Sequence, residues 1–274
     1  MSRINYFRFM KIGILITARL KSSRLKKKVL KDLNGYTVIE RIINRAKKVV
    51  SSENIILCTS TFKQDLPLVE TAIKEGIYYF NGDPDDVIDR LYRAANFFGI
   101  DYFISITADN PLFSVYQCKK MISEINKNNE IDYIYSTKNP LGINVHAIKT
   151  KALEVVCSIK EEIDTEIWGR LVNRPEIFNV RELKIKKNLI NLPRITLDEI
   201  DDYKFLKILF EKFDKDYLIQ EKDIINTLNK DKNLKKINSH VKQLDLDKKT
   251  INRIDNFFIN NKKKLKIIKN KIYT

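Results

Sequence analysis

No apolar run in the 274 residues approaches the roughly 20 that a bilayer-spanning helix needs, so no helical membrane span is expected. The opening segment MSRINYFRFM has neither a long apolar stretch nor a small-residue cleavage site, so it is not expected to act as a secretory signal. Met10, directly ahead of the first apolar run, is an alternative start to Met1. Cysteine is scarce: Cys58, Cys118 and Cys157 lie far apart with no CxxC among them. That spacing argues against a disulfide framework or a zinc site and fits core packing in a reducing cytoplasm. Neither GxxxxGK[ST] nor GxGxxG occurs, which excludes a Walker loop and a dinucleotide turn. No repeat and no low-complexity linker interrupts the chain.

Positive charge, by contrast, is abundant. The net charge is +16, yet residues 230–274 hold 14 Lys/Arg against 4 Asp/Glu and so carry +10 of it. The body is therefore nearly ordinary and the excess sits in a C-terminal segment. A bias toward Lys, Ile and Asn needs no polyanion to explain it. We expect residues 244–274 to be a solvated or membrane-surface-leaning basic tail, with no nucleic-acid partner.

Short apolar runs alternate with amphipathic stretches, the pattern of an α/β domain, and 43% hydrophobic content suffices for a sizeable core. Strands are expected at 12–17, 54–60, 77–80, 102–107 and 131–137, with 194–202 running from a strand into a helix. Val38, Ile39, Ile42, Ile43, Ala46, Val49 and Val50 share one face of a helix over 37–50. A second helix, 64–75, is closed by Gly76, and a third begins at Asp85-Asp86, with Asp89 and Arg93 at i,i+4. The expected organisation is one domain over 10–215, a helical extension over 216–243 and the tail over 244–274.

The stretch ITARLKSSRLKKKVL (16–30) follows the first strand and places Arg19, Arg24 and Lys28 at the carboxyl edge of the sheet, where open α/β folds bind ligands. Ser22 and Ser23 can add hydroxyl donors. On charge pattern alone a phosphate cradle and a solvated loop remain equal readings. Asp109 in ADNP suits a turn, and Asp198 ahead of Glu199, Asp201 and Asp202 suits a helix N-cap.

ARLKSSRLKKKVL (18–30) resembles the signature ARxxSxRLPGKxL of the cytidylyltransferases that make CMP-activated sugar acids, the CMP-KDO and CMP-sialic acid synthetases. The spore-coat polysaccharide branch is the nearest in pattern. The likeness continues through TST (59–61), GDPDDVIDRLYRAA (82–95), ITADNPL (106–112), RITLDEIDDYKFL (194–206) and NKDKNLKKINSHVKQ (229–243). It implies a Rossmann-like, GT-A-type nucleotidyltransferase domain with a mostly parallel mixed sheet and a helical C-terminal extension. Ala18, Arg19, Ser23, Arg24, Lys28, Thr59, Ser60 and Thr107 would contact the nucleotide, and Asp109 and Asp198 would hold Mg²⁺. Arg90, Asn144 and Glu166 would face the acceptor. Lys26-Lys27 stands where the signature has Pro-Gly, which puts the loop's shape in question. Relatives carry GxDxEVF and EHVTPY where this chain has GINVHAI (142–148) and DTEIWGRL (164–171), so the acceptor is expected to differ. His146 and Trp168, which fall in those stretches, read as structural residues.

The resemblance thus implies a CTP-dependent enzyme of the cytoplasm, a homodimer, that transfers CMP to an acidic sugar and releases pyrophosphate. Arg19, Arg24, Lys28 and Asp109 would do the catalytic work by positioning and electrostatics. Rival readings are a GT-A glycosyltransferase, against which the single acid of ADNP argues, a different nucleotidyltransferase on a similar fold, and a non-catalytic binding protein using the basic tail.

Overall fold

The structure, a computed structural model, describes residues 10–137, 140–161, 165, 168–184, 192–243 and 245–274. Its centre is a seven-stranded sheet. Strands β1 (Ile12–Thr17), β2 (Ile55–Ser60), β3 (Tyr78–Gly82) and β4 (Tyr102–Thr107) run parallel in the order β3-β2-β1-β4. Beyond β4 lie β6 (His146–Lys149), antiparallel to it, then β5 (Tyr133–Tyr135), antiparallel to β6, and β7 (Val180–Glu182), parallel to β5. The expected mostly parallel mixed sheet is what forms.

β1 explains the layering. Its IGILIT run is buried on both faces, as a central parallel strand requires. Ile14 and Ile16 face one core, and Leu15 faces the other. The first core takes α1 (Val38–Ala46), α2 (Leu66–Lys74), α4 (Val115–Lys127), α7 (Ile200–Glu211) and α8 (Glu221–Lys230). The second takes α3 (Val87–Phe97), α5 (Thr150–Cys157), α6 (Gly169–Val172) and α9 (Lys248–Tyr273). A Thr37–Glu40 capping box starts α1, and Ile39, Ile42, Ile43 and Ala46 are fully buried along the expected stripe.

Register then sets the site. Thr17 of β1 lies opposite Cys58 of β2 and Thr107 of β4. Ala18 N donates to Cys58 O at 3.1 Å and Ala108 N to Thr17 O at 2.9 Å. The loops after β1 and β4 therefore leave the sheet side by side.

Two expectations need correction. Residues 194–198 are not a strand of the sheet. They form an extended segment whose Ile195 N bonds Leu141 O (2.7 Å) and whose Leu197 N bonds Asp109 O (2.8 Å), so Asp198 is held by backbone pairing to two loops rather than at a strand end. Residues 248–273 are not a loosely patterned tail. They form a 26-residue helix, capped by Asp247, that buries Ile254, Phe258 and Leu265 in the second core. Its last turns close over the buried Asp132, which accepts from Lys269 Nζ at 2.5 Å and Tyr273 OH at 2.7 Å. Strands β6 and β7 lie where no strand is expected, being too short to show a period of two in the sequence.

Candidate active site

The loop after β1 is pinned before it is functional. Leu20 N donates to Asp65 Oδ1 at 2.7 Å, and the Ser60 hydroxyl bonds the other oxygen of the same carboxylate. Leu20, Leu25 and Val29 are buried beneath the loop. Lys27 turns the chain into the short helical turn Lys28–Leu30 with φ 49 and ψ 34, a left-handed conformation, at the position where the signature has glycine. The glycine's conformation is kept without the glycine. The result aims Arg19, Lys21, Arg24 and Lys28 into a cavity of about 440 Å³ at the carboxyl edge of β1 and β4.

The acidic side of that cavity is Asp109, two residues past β4, and Asp198. Gly142 brings them together. Its φ is +100, and its backbone lies so close to residues 195–196 that no side chain fits between them. The segment carrying Asp198 is thereby clamped between loops 109–110 and 141–142. One ammonium then joins both acids: Lys28 Nζ is 3.3 Å from Asp109 Oδ2 and 3.0 Å from Asp198 Oδ1. Arg24 Nη2 lies 3.2 Å from the same Asp198 oxygen, and Arg194 Nη2 reaches Asp198 Oδ2 at 2.7 Å. Burial works against charge on Asp198, but Lys28, Arg24 and Arg194 outweigh it and hold the carboxyl below its usual range. Burial likewise opposes charge on Lys28, yet the two aspartates prevail and raise it.

Behind Asp198 lies a second rank of residues. Asp202 is fully buried and accepts from Asp198 N (3.0 Å) and Glu199 N (3.1 Å). It pairs with Arg194 Nε at 3.0 Å. Asn238, also fully buried, donates to Asp202 Oδ1 (2.9 Å) and Arg194 O (3.1 Å), tying the C-terminal extension to the site.

On the remaining wall, Arg19 bonds Asp85 Oδ1 at 3.1 Å and the carbonyl of Pro84. Arg90 is buried and donates to the carbonyls of Asp83 and Pro84, with burial lowering its pKa. Val87 and Trp168 supply apolar surface. Asn110 Oδ1, Asn144 Oδ1 and Arg90 Nε are buried along this cavity without a hydrogen-bond partner. Such atoms suit a polar ligand, since leaving them bare costs about 1–3 kcal/mol each.

Of the residues singled out in the sequence, Ala18, Arg19, Arg24, Lys28, Arg90, Thr107, Asp109, Asn144 and Asp198 line the cavity. Thr59, Ser60 and Ser23 do not. Thr59 and Ser60 are buried in β2, and Ser60 serves the Asp65 anchor, while Ser23 is exposed. The signature serine aligns with Ser22, whose Oγ accepts from Leu25 N at 3.4 Å and shapes the turn. Glu166 lies outside the described residues. His146 is structural, as expected: its Nδ1 lies 2.8 Å from the Tyr133 hydroxyl, its ring stacks on Tyr133, and burial pushes its pKa down to about 4. Trp168 both packs in the second core and lines the cavity. Reading the sequence missed Arg194, Asp202, Asn238 and Asn110, and also Gln243, which lines the cavity. Arg194 and Asp202 flank Asp198 at i−4 and i+4, the one signal that was available.

The donor set fits Mg²⁺. Two carboxylate oxygens already share a single cationic atom. Among the described residues no cluster of three or more His, Cys, Asp or Glu is arranged for a metal. A magnesium ion held by one or two carboxylates, with the rest of its shell taken from phosphates and water, asks for no more. No helix among the described residues is long and apolar enough to cross a membrane.

Residues 13–247 match the family model described as Cytidylyltransferase. An uncharacterised protein of Methanocaldococcus jannaschii is 36% identical over 85% of this chain and 97% of its own. The spore coat polysaccharide biosynthesis protein SpsF of Bacillus subtilis is 25% identical over 80% of this chain and 94% of its own. A 3-deoxy-manno-octulosonate cytidylyltransferase of Elusimicrobium minutum is 24% identical over 72% of this chain and 84% of its own. Among solved structures, a cytidylyltransferase from Leptospira borgpetersenii superposes with a TM-score of 0.76 at 25% identity, covering 86% of this chain and all of that one.

Proposed function

The chain belongs to the cytidylyltransferase family and is a CTP-dependent nucleotidyltransferase, and from that premise we propose that it transfers CMP to a sugar acid of the 2-keto-3-deoxy or nonulosonic type. Pyrophosphate is the second product, and the CMP-sugar feeds a surface polysaccharide or glycan. The observation that carries this reading is the convergence of Lys28, Asp109 and Asp198 beside the basic loop. The resemblance to CMP-sugar-acid synthetases and the two relatives named for 3-deoxy-manno-octulosonate cytidylyl transfer and spore coat polysaccharide support the acceptor class.

In this reading the acceptor hydroxyl attacks the α-phosphorus of CTP. Arg19, Arg24 and Lys28 bind the triphosphate and stabilise charge on the departing pyrophosphate. Asp109 and Asp198 would hold Mg²⁺, which when bound gathers phosphate oxygens and offsets developing charge. Asn110, Asn144 and Arg90 orient the polar groups that enter the cavity. Val87 and Trp168 exclude water from one side of it.

Pyrophosphate release from CTP, assayed against a panel of acidic sugars and sugar phosphates, tests the reading. Turnover should require an acidic sugar and Mg²⁺, and Asp109→Asn should lower it by about a hundredfold or more while the protein stays folded. CTP should also raise Tm more than ATP, GTP or UTP. No acceptor-dependent release, or equal shifts with all four nucleotides, would overturn it.

A further inference from the structure

The Lys28 ammonium occupies a position that a metal held by Asp109 and Asp198 would need. It contacts Asp109 Oδ2 and Asp198 Oδ1 together, the pair of oxygens best placed to share one ion. Asp198 is further claimed by Arg24 on Oδ1 and Arg194 on Oδ2, so three cations already neutralise one carboxylate. A divalent ion brought to the same oxygens would meet an ammonium at van der Waals range with little water between them, a strongly repulsive arrangement.

Arg194 differs from the other two. Its side chain is 7% exposed and locked to the buried Asp202, which makes it a permanent fixture. Lys28 and Arg24 are 15% and 36% exposed and line the open cavity on long, unbranched stems. They can change partners without unpacking the fold.

We propose that Lys28 is the resident cation of the Asp109–Asp198 pair, excluding a divalent ion from the empty enzyme until a triphosphate draws its ammonium away. This rests on the reading of those two aspartates as the metal-holding pair. The exchange balances charge at each stage. Without nucleotide, the ammonium neutralises the acids. With nucleotide, phosphate oxygens become the acceptors for Lys28 and Arg24, and Asp109 Oδ2 and Asp198 Oδ1 are released for the ion that accompanies the triphosphate. No bond is made or broken. The carboxylates never face one another bare, and the enzyme does not load metal ahead of substrate. Lys28 thus acts on the order of binding as well as on the phosphates.

The test is Mn²⁺ binding followed by electron paramagnetic resonance of the free ion, with no nucleotide present. Lys28→Gln keeps a hydrogen-bonding side chain without the charge. It should bind Mn²⁺ at least tenfold more tightly than wild type, and the gain should vanish in the Lys28→Gln/Asp109→Asn double variant. Equal or weaker binding by Lys28→Gln overturns the proposal. In that case, loss of wild-type Mn²⁺ binding on Asp109→Asn alone would leave the metal assignment standing. A gain that survives in the double variant removes the metal from this pair and overturns both. Should Lys28→Gln not fold, acetic anhydride labelling of wild-type Lys28, read by mass spectrometry, serves instead. Mg²⁺ alone should leave the labelling rate unchanged, and a severalfold rise with Mg²⁺ alone would mean that the ion displaces the ammonium unaided, against the proposal.

Discussion

Gly142 meets the main chain of Ile195 so closely that a Cβ on it would stand 2.4 Å from the Ile195 carbonyl carbon and 2.5 Å from Thr196 N. Neither partner is a flexible side-chain end, and φ of +100 already disfavours any L side chain. Gly142→Ala should therefore push away the segment that carries Asp198. We expect a loss of about 2 kcal/mol or more in urea unfolding, combining left-handed strain with backbone displacement. Pyrophosphate release should fall more than tenfold, because a misplacement near 1 Å is enough for that. A variant matching wild type in both would show that the clamp does not set the site.

Lys27 is the converse case, a side chain where a glycine would sit more easily. At φ 49 it carries a left-handed cost of about 1–2 kcal/mol, part of which a glycine would return as unfolded-state entropy. Lys27→Gly should raise stability by roughly 0.5–1 kcal/mol in chemical denaturation and leave CTP turnover in place. A lower denaturation midpoint would mean that the lysine makes a compensating contact.

These two positions show what could be read from the sequence. Ile12–Thr17 announced itself because a strand covered on both faces must be apolar throughout, and the α1 stripe because its spacing is helical. The members of the site were legible as well, since Arg24, Lys28, Asp109 and Asp198 each fall in a motif. Their meeting was not, because Lys28 and Asp198 are 170 residues apart and are joined by a glycine whose importance lies in what it fails to fill. The final helix was obscured for a different reason. Ile251, Ile254, Phe258, Leu265, Ile268 and Ile272 do follow helical spacing, but Lys and Asn fill the intervening turns and mask it. Asp202 and Asn238 escaped notice because buried polar residues carry no periodic signal.

His146 gives the protein an acid-sensitive seam. Burial beside Tyr133 and Trp168 lowers its pKa to about 4, against about 6.5 in an unfolded chain. Between those values the unfolded state binds the extra proton, so stability rises with pH from 4 to 6.5 and is fully present above 6.5. His146→Gln should flatten that limb, measured as the difference in urea midpoint between pH 7 and pH 5. An unchanged difference would place the acid sensitivity elsewhere.

The final helix should behave as part of the core. Phe258 is 1% exposed and lies beneath the Arg174 guanidinium, 4.4 Å from its ring centroid. Phe258→Ala should cost about 3–5 kcal/mol in denaturant unfolding. A loss below 1 kcal/mol would mean that the helix is an attachment whose removal the rest of the fold tolerates.

The seat of that helix also bears on how the molecule comes to be built. Strands β1 to β4 and their helices can collapse as they leave the ribosome, but the face of α5 on which α9 packs has no cover until residues 254–273 follow it. Asp132, whose carboxylate already accepts from Asn179 N at 2.8 Å, gains its Lys269 and Tyr273 partners only then. A nascent chain that has not yet made those turns therefore presents greasy surface to its surroundings, and it stays open to chaperones and to aggregation until residues 254–273 emerge.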